Sequence, residues 1–161
     1  MKVKIEIAPE VDEPEVIVRC SSLTEEVVAL QKYLADQGGH RCLSLKHGDT
    51  DYFIPLTEIY FFETEGRAIH AHTADRIFDA PYKLYELEEF LPGAFMRISK
   101  STIANLDHIY SITRNLTASS VMEFAGSKKT AAVSRGYYKA VSERLAQRRL
   151  GKTLSERNGK G

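Results

Sequence analysis

Apolar and polar positions alternate in short runs along most of the chain, which is the pattern of half-buried β-strands. Between Arg41 and Val133, turn-forming pairs such as Gly48-Asp49 separate these runs, so the pattern predicts antiparallel hairpins. The predicted strands are RCLSLKH (41–47), DYFIP (51–55), EIYFFET (58–64), RAIHAHT (67–73), RIFDA (76–80), FMRIS (95–99), HIYSIT (108–113), SSVMEF (119–124) and KTAAV (129–133). The expected fold class is therefore α+β, mainly β.

Three segments show the spacing of amphipathic helices instead. The first follows a capping-box sequence, SLTE (22–25), and ends at two glycines, with an apolar stripe formed by Leu23, Val27, Leu30 and Leu34. The second, YKLYELEEFLPG (82–93), is short and ends at a Pro-Gly pair. The third begins at Ser134 and continues to about residue 150.

These elements predict three parts of the chain. Residues 1–40 form a small strand-strand-helix unit, with strands at 2–7 and 15–20, and residues 41–147 form the β domain. Residues 148–161 are expected to be a basic, disordered tail. The apolar stripe of the first helix can pack within the chain or against a second copy, and both alternatives remain open at this point.

Composition narrows the class of protein. No apolar run reaches the roughly 18 residues that span a bilayer, and no signal peptide is evident, so a soluble cytoplasmic protein is expected. The two cysteines, Cys20 and Cys42, are interpreted as reduced residues in or near a core.

Charge is unevenly distributed along a chain whose net charge is zero. Residues 1–90 hold 9 basic and 18 acidic side chains, a net charge of −9, whereas residues 91–161 hold 13 and 4, a net charge of +9. A basic half can form a polyanion site or a solvated surface.

No set of residues predicts catalysis, a metal site or a cofactor, so we expect no enzyme. His70 and His72 share one face of a strand, but no third ligand accompanies them at a recognisable spacing. We interpret them as residues on an exposed or half-exposed strand face.

Two basic segments favour a nucleic-acid site. In FMRISKSTIANLDHI (95–109), Arg and Lys side chains and hydroxyl groups surround one turn, and such groups bind phosphates and base edges. In KKTAAVSRGYYKAV (128–141), Lys128, Lys129, Arg135 and Lys139 flank a strand end and a helix N-terminus, which is a second candidate anion site.

These two motifs, F-x-R-x-x-K-S-x-x-x-N-L-x-x-I and V-S-R-x-Y-Y-K, resemble those of the LytTR family of bacterial DNA-binding domains. The resemblance covers residues 41 to 147. It implies an elongated antiparallel-sheet fold that inserts loops and turns into successive major grooves of double-stranded DNA. It also implies a transcriptional regulator that binds promoter repeats, often as a homodimer.

Carried onto this sequence, the resemblance implies a set of DNA-contacting residues. Asn105 is implied as either a structural or a contacting amide, and Arg135 is the expected base-reading residue. Ser99 stands where many members carry histidine. The full implied set is Gly66, Arg67, Arg97, Lys100, Ser101, Asn105, Ser134, Arg135 and Lys139.

The chain resembles the stand-alone class of the family, with the N-terminal unit in place of a receiver domain. For that class the resemblance implies a membrane protein as a possible regulatory partner. The alternative function is a protein-interaction or ligand-sensing module that keeps the fold without binding DNA.

Overall fold

The computed structural model describes residues 16–22, 24–38 and 41–158. These residues fall into two compact units, Met1–Gly39 and His40–Gly161. No helix in the described ranges is long and apolar enough to cross a membrane.

Helix α1 of the first unit covers Glu25–Gly38, as its apolar spacing predicts. Its cap is Thr24, whose Oγ1 accepts a hydrogen bond from the Val27 amide at 3.4 Å. The helix therefore begins slightly later than the predicted cap at residue 22. The half-buried side chains of this helix include Val27, Leu30 and Leu34, whereas Leu23 lies outside the described residues.

The predicted strand at 15–20 is not present, because residues 16–20 have no regular secondary structure. Val16 and Ile17 are 64% and 65% exposed. Alternation alone does not make a strand, since a strand also needs a hydrogen-bonded neighbour. Its expected partner, 2–7, lies outside the described residues.

The second unit contains ten strands and two α-helices in the described range. The nine predicted strands are confirmed with ends shifted by up to three residues, and one strand, β7, was missed because its four residues directly follow a turn. The elements are β1 (Cys42–His47), β2 (Thr50–Pro55), β3 (Phe61–Glu65), β4 (Ala68–His72), β5 (Ile77–Asp79), α2 (Leu84–Phe90), β6 (Phe95–Ser99), β7 (Thr102–Asn105), β8 (Ile109–Thr113), β9 (Ser120–Phe124), β10 (Thr130–Val133) and α3 (Arg135–Asn158).

The strands form two sheets, one of seven strands in the order β2-β1-β5-β4-β3-β7-β6 and one of three in the order β10-β9-β8. Every pairing in both sheets is antiparallel. The mainly β prediction is confirmed.

Strand β3 contributes to both cores of this unit. Phe62 packs with α2 and the strands β1, β4 and β5 on one face of the seven-stranded sheet. Its neighbour Phe61 points to the other face and stacks on Phe124 of β9, with ring centroids 5.1 Å apart. This alternation along β3 places the three-stranded sheet and α3 against the second face.

Two further expectations are wrong. Helix α3 continues to Asn158, although an internal glycine such as Gly151 costs a helix about 1 kcal/mol relative to alanine, so residues 148–158 are not a disordered tail. Cys20 and Cys42 are both exposed. In β1, alternation turns Leu43 and Leu45 inward and Cys42 outward.

Candidate nucleic-acid interface

Three segments with predicted DNA-contacting residues lie at one end of the two sheets. The amide of Thr64 in β3 donates to the Ser101 carbonyl at 2.8 Å, which sets the β3–β4 turn beside the β6–β7 turn. The amide of Ser134 donates to the Ile98 carbonyl at 3.0 Å, which sets the start of α3 beside the end of β6. We call this end, with its turns 66–67 and 100–101 and the first turn of α3, the cationic end.

The β6–β7 turn presents Lys100 and Ser101 to solvent. Ser99, which directly precedes this turn, is 8% exposed. Its Oγ accepts a hydrogen bond from the Ser101 amide at 3.2 Å. The largely buried Ser99 side chain therefore holds the turn in place.

Arg97 of β6 is hydrogen-bonded to the backbone of the same turn. One guanidinium nitrogen donates to the Lys100 carbonyl, and the other donates to Glu88 of α2 at 2.8 Å. The hydrogen bond from Arg97 lowers the pKa of the Glu88 carboxyl. The side chain is only 21% exposed, so its main contacts position Lys100.

Asn105 lies at the far end of β7 from this turn. It is 3% exposed, and its Nδ2 donates to the Ile59 carbonyl at 2.9 Å while its Oδ1 accepts from the Asp107 amide at 3.1 Å. Of the two roles left open for this amide, the geometry supports the structural one.

The β3–β4 turn needs glycine for its backbone. Gly66 has a φ of +63°, and an added Cβ would meet no atom within 4 Å, so the constraint is conformational rather than steric. Arg67 beside it is exposed. The turn therefore offers an open backbone and one exposed cation.

The start of α3 presents two exposed cations at a helix N-terminus. Arg135 and Lys139 are exposed, and their spacing of four residues puts them on one face of the helix. Ser134 is half-buried, and its carbonyl accepts from the Tyr137 and Tyr138 amides at 2.9 and 3.1 Å. The positive end of the helix dipole adds to the attraction for phosphate.

Comparison with known proteins identifies the fold and family. The model of the LytTr DNA-binding domain matches residues 49–146, more than half of the chain. The chain belongs to the LytTR family of DNA-binding domains. A solved LytTr DNA-binding domain from Bacillus cereus is similar over 66% of this chain and 98% of its own, with a TM-score of 0.61 and 22% identity.

Two curated relatives come from Staphylococcus aureus, strains NCTC 8325 and COL, and both are named as uncharacterized HTH-type transcriptional regulators. Each is 32% identical over 95 residues, which are 59% of this chain and 64% of the relative. The prediction of a LytTR DNA-binding domain is confirmed.

The LytTR fold separates two lysines that the sequence grouped with Arg135. Lys128 and Lys129 precede β10, whereas Arg135 follows it, and four extended residues span about 13 Å. Lys129 Nζ donates to the Arg76 carbonyl at 2.6 Å, and burial lowers the pKa of this lysine. These lysines belong to what we call the opposite end, formed by residues 73–76, 105–108 and 125–129.

Of the two histidines that share a strand face, His70 is half-buried, within the expected range, whereas His72 is less exposed than expected. His72 is 7% exposed and stacks on Phe61 with ring centroids 4.1 Å apart. Its Nε2 lies 2.8 Å from Glu63 without the alignment of a hydrogen bond, and burial lowers the pKa of His72 to about 4. His70 lies 3.1 Å from Asp79. In the described ranges, no three His, Cys, Asp or Glu side chains are placed to hold a metal ion.

One loop at the cationic end lies outside both sequence motifs. Residues 114–119 connect β8 to β9, and β9 begins at Ser120, which pairs with Val133 directly before α3. The sequence signal was weak, because the loop contains a single charged residue, Arg114. Register across two strands, not local sequence, puts this loop beside the helix start.

Proposed function

We propose that the chain is a sequence-specific, double-stranded DNA-binding transcriptional regulator of the bacterial cytoplasm, which inserts loops and turns into the major groove. The observation that carries the proposal is the grouping of three exposed basic or open-backbone segments at one sheet end. The chain spans 64% of the length of the curated relatives, so its regulatory activity is inferred from the domain and the cationic end together.

The residues of the three segments at the cationic end have roles that fit their chemistry. Arg135 reads base edges, because a guanidinium can bridge the O6 and N7 atoms of guanine. The hydroxyls of Ser101 and Ser134 and the Gly66 backbone position the DNA strand. Phosphates are bound by the remaining exposed cations, Arg67, Lys100 and Lys139.

Selection from a random double-stranded DNA pool, at two salt concentrations, tests the proposal. We expect a convergent sequence and binding that weakens steeply as salt rises. Enrichment of no sequence, with weak binding only, would contradict it. The duplex obtained in this way is called the selected duplex below.

We also propose that the chain binds promoter repeats as a homodimer through residues 1–40. The support is the half-buried apolar stripe of α1, formed by Val27, Leu30 and Leu34. Sedimentation at tens of micromolar protein is expected to show a dimer, and half-sites about 10 to 10.5 base pairs apart are expected in the selected duplex. Monomer alone, both free and on DNA, would exclude this arrangement.

Regulation by a membrane protein is proposed on the resemblance to stand-alone family members alone. The test is chemical crosslinking of the full chain in bacterial cells, followed by isolation of membranes. A crosslinked integral membrane protein supports the proposal, and recovery of the chain only in crosslinks to itself contradicts it.

A further inference from the structure

The β8–β9 loop, residues 114–119, extends the cationic end beyond the segments that the family motifs identify. The hydrogen bond from the Ser134 amide to the Ile98 carbonyl places the end of β10 beside β6. Strands β9 and then β8 follow on the other side of β10. Neighbouring strands are about 4.8 Å apart, so the loop sits roughly 5 to 10 Å outward from the start of α3. It borders the same surface as Arg135.

Contact with α3 positions the cation of this loop. The Arg114 guanidinium carbon lies 5.3 Å from the ring centroid of Tyr138, which is in the first part of α3. Stacking on an aromatic ring leaves the in-plane N–H donors of a guanidinium free to bind another group. Arg114 is exposed and forms no ion pair within the described part of the chain.

The loop is also organised before any partner binds. Asn115 Oδ1 accepts hydrogen bonds from the Thr117 amide at 3.0 Å, the Thr117 hydroxyl at 3.2 Å and the Ala118 amide at 3.2 Å. The Asn115 amide donates to the Oγ of Ser120, which is 2% exposed, at 3.1 Å. Binding through such a loop loses little conformational freedom.

Residues 114–119 contain no acidic side chain that would repel phosphate, and each of them is exposed. The side chains of Arg114, Asn115 and Thr117 are of the types that contact a DNA backbone. The loop differs in this from the β3–β4 turn, which carries Glu65 next to its glycine.

We propose that the β8–β9 loop is a fourth DNA-contacting element, in which Arg114 binds a backbone phosphate that flanks the groove read by Arg135. The inference rests on the proposed function, because it concerns the same DNA site. It assigns to Arg114 an affinity role without sequence preference, since a phosphate is the same at every base pair.

The first test measures how the affinity of the full chain for DNA depends on salt, on the selected duplex and on a random duplex. For Arg114→Ala we expect affinity to fall about fivefold to tenfold near 0.1 M salt on both duplexes, and the slope of log K against log salt to flatten by about one unit. Arg114→Lys should keep the wild-type slope, because it keeps the charge while weakening the stack on Tyr138.

Arg76→Ala is the matched control. Arg76 also stacks on aromatic rings, 4.8 Å from Tyr52 and 4.9 Å from Phe78, but at the opposite end. Its replacement removes the same charge and should leave the slope within error of wild type. Equal slopes for wild type, Arg114→Ala and Arg76→Ala would overturn the proposal for Arg114.

A photocrosslinking measurement does not depend on the stability of the alanine variant. Leu116 and Phe53 are 74% and 72% exposed, and Phe53 lies on β2 at the far edge of the seven-stranded sheet. With p-benzoylphenylalanine at each position in turn, we expect a crosslink to the selected duplex from position 116 and none from position 53. Absence of a crosslink at 116 in a bound complex overturns the proposal.

Failure of the proposed function can be distinguished from failure of the loop proposal alone. If the wild-type chain binds no DNA at either salt concentration, the proposed function itself fails and the loop proposal fails with it. If the wild-type chain binds the selected duplex and both loop measurements are negative, only the role of the β8–β9 loop is overturned.

Discussion

The two ends of the β domain contain similar residue types, but their side chains are exposed at one end and hydrogen-bonded to backbone carbonyls at the other. At the cationic end, Lys100 and Arg135 are exposed. At the opposite end, Lys129 Nζ is bonded to the Arg76 carbonyl and the Ser127 hydroxyl to the Ala74 carbonyl at 2.7 Å. A cation that already satisfies a carbonyl stabilises the fold and is less available to a phosphate. Counting basic residues along the sequence therefore does not locate a binding surface.

The largest expected effect is on stability, at the opposite end. Asn105→Ala removes the donor to Ile59, a residue with no exposed surface, and the acceptor for the Asp107 amide. We expect a loss of about 2 to 3 kcal/mol in the free energy of unfolding, because buried polar groups lose their partners. Urea denaturation measures it.

The same variant, studied where it is folded, sharpens the comparison of the two ends. It should bind the selected duplex with nearly wild-type affinity, because residue 105 is at the far end of β7. A stable Asn105→Ala protein that had lost DNA binding would show that this amide contacts DNA after all.

The second effect concerns sequence readout at the cationic end. Arg135→Ala should weaken binding to the selected duplex by about 10-fold to 100-fold, since loss of a guanidinium contact to guanine costs roughly 1 to 3 kcal/mol. Binding to random duplex should fall much less. Competition assays with both duplexes measure the ratio, and equal losses on the two would refute base reading by Arg135.

The third effect is a pH dependence of stability at His72, which directly precedes the opposite end. Burial lowers the pKa of His72 to about 4, below its ordinary value of 6.5. The unfolded chain therefore takes up a proton first as the pH falls below 6.5, and stability is lost progressively between about pH 6.5 and 4. From pH 7 to 5 we expect a loss of about 2 kcal/mol in the free energy of unfolding from this residue.

A variant separates His72 from its neighbours. Burial raises the pKa of Glu63, so protonation of this carboxyl favours the native state at low pH and partly offsets the histidine. His72→Phe keeps a ring against Phe61 but cannot titrate. Urea denaturation of both proteins at pH 7 and 5 should show a smaller loss in the variant, and an identical loss would exclude His72 as the cause.

The smallest expected effect is on the salt dependence of DNA binding, and it differs between two lysines of the same charge. Lys100→Ala should flatten the salt dependence of DNA binding by about one unit, because it removes one phosphate contact. Lys129→Ala should leave the slope at the wild-type value. Parallel measurements on random duplex decide between them, and equal slopes for both variants would mean that the two ends do not differ in DNA contact.

Much of the fold followed from local patterns. Alternation predicted nine of the ten described strands of the β domain, and helical spacing predicted all three helices, because solvent and core faces impose these periods on the sequence. The unpredicted strand β7 and the predicted strand that is absent at 16–20 show the limit of predicting strands from local alternation. Whether a short extended run pairs with a neighbour depends on residues far away in the chain.

For the candidate site, the sequence by itself determined which residue types were available: the motif turn, the glycine of the β3–β4 turn and the basic start of α3. Tertiary structure decided which of them are exposed together. In the folded chain Asn105 is buried, and Arg97 is hydrogen-bonded to Glu88. Lys129 lies at the opposite end, where it binds the Arg76 carbonyl, and Arg114 stacks on Tyr138. Strand register sets these distances, and register is a property of paired strands that no single segment contains.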